Sequence, residues 1–580
     1  MTRLANVRSR PQKSSSELGL FDRVDSAAET KLRGGYYTPQ RLACLLCGWA
    51  VRTATDLVLE PSAGDGNFVV AIAQRLRELD CSISDIYRQV KSVEIDAEEA
   101  RRANRRLASA LGGADVKTTV CSDFFEWLER YPGQQFDAVV GNPPFIRYQN
   151  FPEPSRSTAM AMLVRLGFRP NRLTNIWVPF VVGATAALAE NGRMALVLPA
   201  ELLQVSYAAQ LRSFLVDSFR SIEVVACNEM LFEKAEQEVV VLLAEGKATH
   251  PSAENECSID FREAENFEEL MALGTTSSKT RTAAKLVRHD SEKWLKYFLS
   301  SREITLMRRL RETEEVTVLA RHGSVDVGVV TGENGFFVVT REQAEEHGLD
   351  PHCRRLAARS AHLRGAIFTP EEWESLANDG QRVHLFTVDR KSNVPVLPAT
   401  AQYIRAGERQ SCHKGYKCSI REPWYSVPAV WAPDCFLFRQ IYDFPRVVLN
   451  RAAAVSTDTI HRLSCKSDPL RLAENTYTHL TAASAEIEGR SYGGGVLELE
   501  PTEAERLLLP RRLVASAMPL AEADRLIRDG KLCDVLAEND RSVLKNGLGL
   551  AQDECRMLKE IWEKMRNRRA SRKRIRRSAR

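Results

Sequence analysis

No apolar run in this sequence approaches the ~20 residues that a membrane-spanning helix needs. Residues 1–30 are polar and without period, and no secretory signal stands among them. They are also too few to hold a nuclease domain. Cysteine supplies no framework either. The 13 cysteines are an odd number at irregular spacings, which excludes a disulfide-built secreted scaffold. Reduced thiols in a cytoplasm are the expected state. A Cys-x-x-Cys pair, Cys44 and Cys47, lies in an apolar stretch that reads as a helix. With no second pair nearby it is expected to pack in a core rather than hold zinc. Cys412, His413 and Cys418 form a looser cluster read the same way, so no metal is expected. Internal repeats are absent. A net charge of +5 permits a polyanionic partner without demanding one.

What is present begins with length. A chain of 580 residues is too long for one core, so three or four domain-sized pieces, or two large ones, are expected. Residues 1–30 read as a flexible leader, 31–250 as an α/β catalytic domain and 251–315 as a connector. Residues 316–520 are rich in short β-like runs such as Val325–Val330, Phe336–Thr340 and Arg446–Asn450. Residues 521–580 read as helices ending in a basic tail from Lys564 to Arg580, a solvated face or a phosphate contact.

The α/β pattern is the informative part. Short apolar strands are expected at 56–60, 90–96, 116–120 and 136–140, with helical periodicity from Phe68 to Leu79 and again through Arg106. It continues through Trp177–Leu188, Met194–Leu198, a helix near Tyr207–Leu215 and a hairpin-like stretch from Ile222 to Leu243. Alternation of this kind means a largely parallel sheet with helices on both faces. Ligands of such sheets sit beyond the carboxyl ends of the strands.

Four segments fall at those ends. The loop Glu60-Pro61-Ser62-Ala63-Gly64-Asp65-Gly66-Asn67 follows the first strand. Gly64 and Gly66 allow a sharp turn and close approach to a ligand. No Gly-Lys-Ser/Thr follows, and the Gly-x-Gly-x-x-Gly spacing is missing, so neither a Walker loop nor a dinucleotide fingerprint is present. Glu94 ends the second strand, where a carboxylate can accept from ribose hydroxyls. Asp123 ends the third, placed to accept from an adenine amino group. Asn142-Pro143-Pro144-Phe145 follows the fourth. Proline has no N–H, so Pro143 offers only a carbonyl acceptor beside the Asn142 side-chain oxygen. Two acceptors converging on one point suit an NH₂ group. Phe145 offers a face on which a planar amine-bearing ring can stack.

In this order the segments resemble the gamma-class, TaqI-like type II DNA adenine-N6 methyltransferases of restriction-modification systems. The resemblance implies a class I S-adenosylmethionine-dependent methyltransferase fold, α/β and Rossmann-like with a mixed seven-stranded sheet, followed by an irregular β-rich target-recognition domain and C-terminal helices. It implies a bacterial cytoplasmic enzyme with S-adenosyl-L-methionine as cofactor and double-stranded DNA as partner. A cognate restriction endonuclease would be encoded separately. Gly35-Tyr36-Tyr37-Thr38-Pro39 matches the N-terminal cofactor motif, placing Thr38 near the methionine end. Glu60, Ser62, Gly64 and Gly66 match the cofactor loop, Glu94 the ribose acid, Ile95 the residue packing on the cofactor adenine, and Asp123 the acceptor for its amino group. Asn142, Pro143 and Phe145 match the catalytic motif, with Phe145 in place of the commoner tyrosine. Phe232 matches a second aromatic stacking the extruded adenine. Gly328–Asn334, Arg421–Tyr425 and Arg490–Gly495 resemble recognition-domain segments, and Lys414, Lys417, Arg421, Arg439 and Arg451 lie in loops suited to contact DNA.

Two other readings stand beside this one. A methyltransferase of protein glutamine or of RNA would also present an NH₂ to Asn-Pro-Pro-Phe. The long C-terminal region and the motif at Gly35–Pro39 argue against it. A non-catalytic DNA-specificity subunit would not need the intact loop, acids and Asn142.

Overall fold

The computed structural model describes residues 38–114, 117–227, 238–248, 257–275, 292–389, 394–492 and 495–578. The chain divides into two compact units between Trp294 and Leu295.

In the first unit the strands are β1 (Val58–Glu60), β2 (Val90–Glu94), β3 (Thr119–Cys121), β4 (Phe136–Gly141), β5 (Leu188–Pro199), β6 (Phe219–Cys227), β7 (Val239–Lys247) and β8 (Ser258–Ala264). They form one sheet in the order β3-β2-β1-β4-β5-β7-β6-β8. β1 to β5 run parallel. β7 is antiparallel to both its neighbours, and β8 lies parallel to β6. β1 is buried on both faces, as a strand covered by helices must be. The expected seven-strand sheet is therefore present and extended by one. The eighth strand comes from residues assigned to the connector. Its alternation (Ile259, Phe261 in; Asp260, Arg262 less so) was too short to stand out in a polar stretch.

The covering helices are α1 (Gln40–Ala50), α2 (Asn67–Glu78), α3 (Ala97–Ala110), α4 (Phe124–Arg130), α5 (Ser155–Arg165), α6 (Trp177–Ala186), α7 (Ala209–Ser218) and α8 (Phe267–Thr275). Asp96 starts α3 by accepting from the Glu98 and Glu99 N–H groups. That helix buries only Ala100, Ala103 and Leu107, a narrow stripe at helical spacing, and leaves a basic outer face. α8, also assigned to the connector, packs its Leu270 into the same core as α1 and α2. Arg41 of α1 pairs with Glu268 of α8 at 2.7 Å. Cys47 is buried on α1 and its thiol is free, as is that of Cys44.

The second unit carries several small sheets. A five-stranded sheet joins Gly323–Asp326, Ile460–Cys465, Cys435–Phe438, Val447–Asn450 and Ile367–Phe368. A four-stranded sheet joins Val338–Val339, His384–Phe386, Cys353–Ala357 and Val455–Ser456. Phe336–Thr340, expected as a β-run, is split: Asn334–Phe337 is a short helix and only Val338–Val339 is strand. Phe336 there stacks on Tyr403 at 4.8 Å, so its aromatic character serves packing. The last helix runs from Gln552 to Ser578. The basic run is not a free tail at its start. Arg569 is 2% exposed, chelated by buried Glu486 and donating to the Gly495 carbonyl at 2.6 Å. A buried arginine needs such a partner.

Candidate active site

β1, β2, β3 and β4 are parallel neighbours, so the segments that follow them emerge along one edge of the sheet. Hydrogen bonds then tie those segments together. The Gly64 N–H donates to Glu94 Oε2 at 2.8 Å, and the Asp96 N–H to Oε1 at 2.9 Å. Each carboxylate oxygen keeps a further lone pair for a ligand hydroxyl. The Ser62 hydroxyl donates to the Asn142 carbonyl at 3.2 Å. The turn after β1 is thus fastened to the ends of β2 and β4.

Glu60 is wholly buried at the end of β1. Its Oε1 accepts from the Ser62 N–H at 3.3 Å, while Oε2 is buried with no hydrogen-bond partner among the described residues. Burial pushes its carboxyl well above the usual carboxylate range, and the nearby Glu94 adds to this. Burial also raises Glu94, against the two backbone N–H groups that favour its charge. Thr38 is buried, and its hydroxyl likewise has no partner among the described residues. Leaving buried acceptors or hydroxyls without partners costs ~1–3 kcal/mol each. Two of them at one edge fit a polar ligand that supplies the missing donors. A ligand with an ammonium and ribose hydroxyls matches that set.

Asp123 caps α4 through Oδ1, which accepts from the Phe125 and Glu126 N–H groups at 2.9 and 3.0 Å. Among the described residues no donor reaches its Oδ2. Ile95 is 58% exposed, an apolar side chain open to solvent beside Glu94. The Asn142 side-chain oxygen is buried. Among the described residues no backbone donor reaches the Pro143 carbonyl. Phe145 is half-buried and packs against the core formed by α1, α2 and the sheet, which holds its ring in place. Gly35 to Tyr37 and Phe232 lie outside the described residues.

The two loop glycines differ in what they need. Gly64 and Gly66 have φ of 51° and 89°. A Cβ on Gly66 would stand 2.7 Å from the Ala103 Cα on α3. The absence of a side chain at Gly66 is therefore required by helix packing as well as by backbone conformation.

One network leaves no signal in the sequence. Arg106 of α3 donates to the Asp65 carbonyl at 2.9 Å, pairs with the Asp65 carboxylate and holds the Asn67 side-chain oxygen. The Asn67 amide in turn donates to the Thr38 carbonyl at 2.8 Å. A contact spanning 41 residues has no periodic trace, and Arg106 is one of four arginines on that helix. In the second unit, two of the loop arginines already have partners within the chain. Arg421 is spent on the Thr331 and Val330 carbonyls, both at 2.7 Å. Arg439 is paired with Glu498 and Glu500 at 2.7 and 2.9 Å. Among the described residues no group of three or more His, Cys, Asp or Glu is arranged to hold a metal. No described helix is long and apolar enough to cross a membrane.

A glycine turn after the first strand, acids after the second and third, and Asn-Pro-Pro-Phe after the fourth, on a sheet of this order, define an α/β methyltransferase. The chain belongs to the N-6 DNA Methylase family, whose profile matches residues 23–318, just over half of its length. It is an adenine-N6 DNA methyltransferase. The profile of the Type II methyltransferase M.Eco57I C-terminal domain matches residues 291–544. Similar proteins include the Type II methyltransferase M.AccI of Acinetobacter calcoaceticus, 21% identical over 489 residues, covering 81% of this chain and 84% of that protein. The Type II methyltransferase M.XamI of Xanthomonas campestris pv. amaranthicola is 24% identical over 521 residues, covering 87% and 89%. Among solved structures, the Type IIL restriction-modification enzyme MmeI in complex with DNA superimposes with a TM-score of 0.52 at 13% identity, over 89% of this chain and 73% of that one. That likeness is one of fold.

Proposed function

We propose that this chain transfers a methyl group from S-adenosyl-L-methionine to N6 of an adenine turned out of duplex DNA, and that it protects DNA from a separately encoded restriction endonuclease. The observation that carries the reading is the Ser62–Asn142 hydrogen bond, which joins the cofactor loop to the catalytic motif. Thr38 and Glu60 would hold the methionine end, and Ser62, Gly64 and Gly66 shape the turn. Glu94 would take the ribose hydroxyls, with Ile95 against the cofactor adenine and Asp123 Oδ2 accepting from its amino group. S-adenosyl-L-methionine, when bound, supplies an electrophilic methyl group.

The chain's own residues then position the amine. The Asn142 side-chain oxygen and the Pro143 carbonyl accept its two N–H bonds and aim the nitrogen lone pair. This is catalysis by orientation and electrostatics. Phe145 stacks on the extruded base, with Phe232 assigned to its other face. Such stacking returns ~1–3 kcal/mol against an unpairing cost of a few kcal/mol. Single-molecule sequencing of DNA from cells expressing the chain tests the reading. N6-methyladenine in one sequence context is expected. Unmodified DNA with label transferred to protein or tRNA instead would overturn it.

A further inference from the structure

The crossover from β4 to β5 carries more than the catalytic motif. Because β4 and β5 are parallel, α6 must run back down the sheet. The stretch from Asn142 to Asn175 therefore leaves and returns at the carboxyl edge, on the side of the target base. The Ile176 N–H donates to the Ile146 carbonyl at 3.1 Å, closing this excursion against the segment that follows Phe145.

The part between α5 and α6, residues 166–174, is braced and basic. The Asn171 side chain accepts from the Leu173 N–H at 2.8 Å, and Thr174 Oγ1 accepts from the Asn171 N–H at 3.0 Å. The Arg169 N–H is held by Gln210 Oε1 at 2.9 Å. A cavity of about 150 Å³ lined by Phe168, Arg169, Asn171 and Tyr207 opens beside it. Arg147, Arg169 and Arg172 are exposed, and none has a carboxylate partner among the described residues. Their neighbours do: Arg156 pairs with Glu153 at 2.7 Å and Arg165 with Glu129 at 2.9 Å. Two apolar residues of the same stretch, Leu166 and Leu173, are also exposed, Leu173 by 69%, as is Val164 at the end of α5. Guanidinium groups without carboxylates, with adjoining apolar side chains, suit a phosphodiester backbone, which offers bidentate oxygens beside an apolar sugar edge.

We propose that the 166–174 segment, with Arg147, grips the DNA backbone next to the target adenine: Arg169 and Arg172 each contact a phosphate. This rests on the reading of the chain as a duplex-DNA enzyme and locates a backbone contact within the catalytic unit. It carries no base specificity.

The test needs no knowledge of the recognition site, because phosphate contact shows in the salt dependence of binding. A labelled duplex of arbitrary sequence is titrated with the full chain over a salt series, comparing wild type, Arg169→Gln/Arg172→Gln, and Arg165→Gln. The slope of log affinity against log salt should become shallower by about 0.9 for each phosphate no longer neutralised, so about 1.8 in the double variant. S-adenosyl-L-methionine affinity should be unchanged, and Arg165→Gln should match wild type. A double variant with the wild-type slope, or an equally shallow slope in Arg165→Gln, would overturn the proposal while wild-type binding and methylation persist. Wild-type protein that neither binds nor methylates DNA would instead overturn the reading beneath it.

Discussion

The Ser62 hydroxyl donates across 3.2 Å to the main-chain carbonyl of Asn142. These residues lie 80 apart in sequence and belong to the two halves of the proposed reaction, one beside the methyl donor and one beside the acceptor. Ser62→Ala should lower kcat/KM by roughly threefold to tenfold, the equivalent of ~0.5–1.5 kcal/mol for one neutral hydrogen bond. Affinity for an arbitrary duplex should not move. Steady-state methylation against binding, measured in the same preparation, separates the two.

Asn142→Ala removes the side-chain acceptor proposed to hold the target amine in the transition state. By analogy with the loss of one preorganised polar group, the rate should fall by ~10²–10³. Duplex binding and cofactor affinity should stay near wild type. Single-turnover methylation at the wild-type rate would rule out the assigned role.

Arg106→Met unties Asp65 and Asn67 from α3 and, through Asn67, releases Thr38. Hydrogen bonds to charged groups are worth ~1.5–3 kcal/mol, so S-adenosyl-L-methionine affinity should weaken by roughly tenfold or more. Calorimetric titration gives the number. Unchanged affinity would show that the network supports the fold only.

Gly66→Ala should destabilise the ligand-free chain, since the new methyl meets the Ala103 backbone at 2.7 Å and φ is 89°. Strain and overpacking of this kind cost ~1–3 kcal/mol. A thermal melt that matches wild type would mean that α3 gives way freely.

The buried Glu60 makes stability depend on pH. Its carboxyl binds its proton more tightly folded than unfolded, because burial disfavours the charge. The stabilising share is fully present below the unfolded value of ~4.3 and is lost as pH rises through the raised folded value. The ligand-free chain should therefore lose this stabilising share as pH rises above the unfolded value, and Glu60→Gln should flatten that part of the melting-temperature trend. Parallel curves for the two proteins would refute the assignment.

The order of the site was legible in the sequence because it is written in local terms. An apolar strand, a glycine turn and an acid at a strand end depend on neighbours a few residues away, and so do the prolines after Asn142. Those terms placed Glu60, Glu94, Asp123 and Asn142 along one edge. What the fold alone decided is how distant segments close on one another. Arg106 reaches back to the glycine turn, Gly66 is small because Ala103 passes it, and Ser258–Ala264 joins the sheet from a stretch without clear period. The same holds for charge. Arg421, Arg439 and Arg569 look in sequence like Arg169 and Arg172, yet the first three are spent on carbonyls and carboxylates inside the chain. A guanidinium has one identity in a sequence, but whether it is free to meet a phosphate depends on which acceptors the fold brings within hydrogen-bond reach.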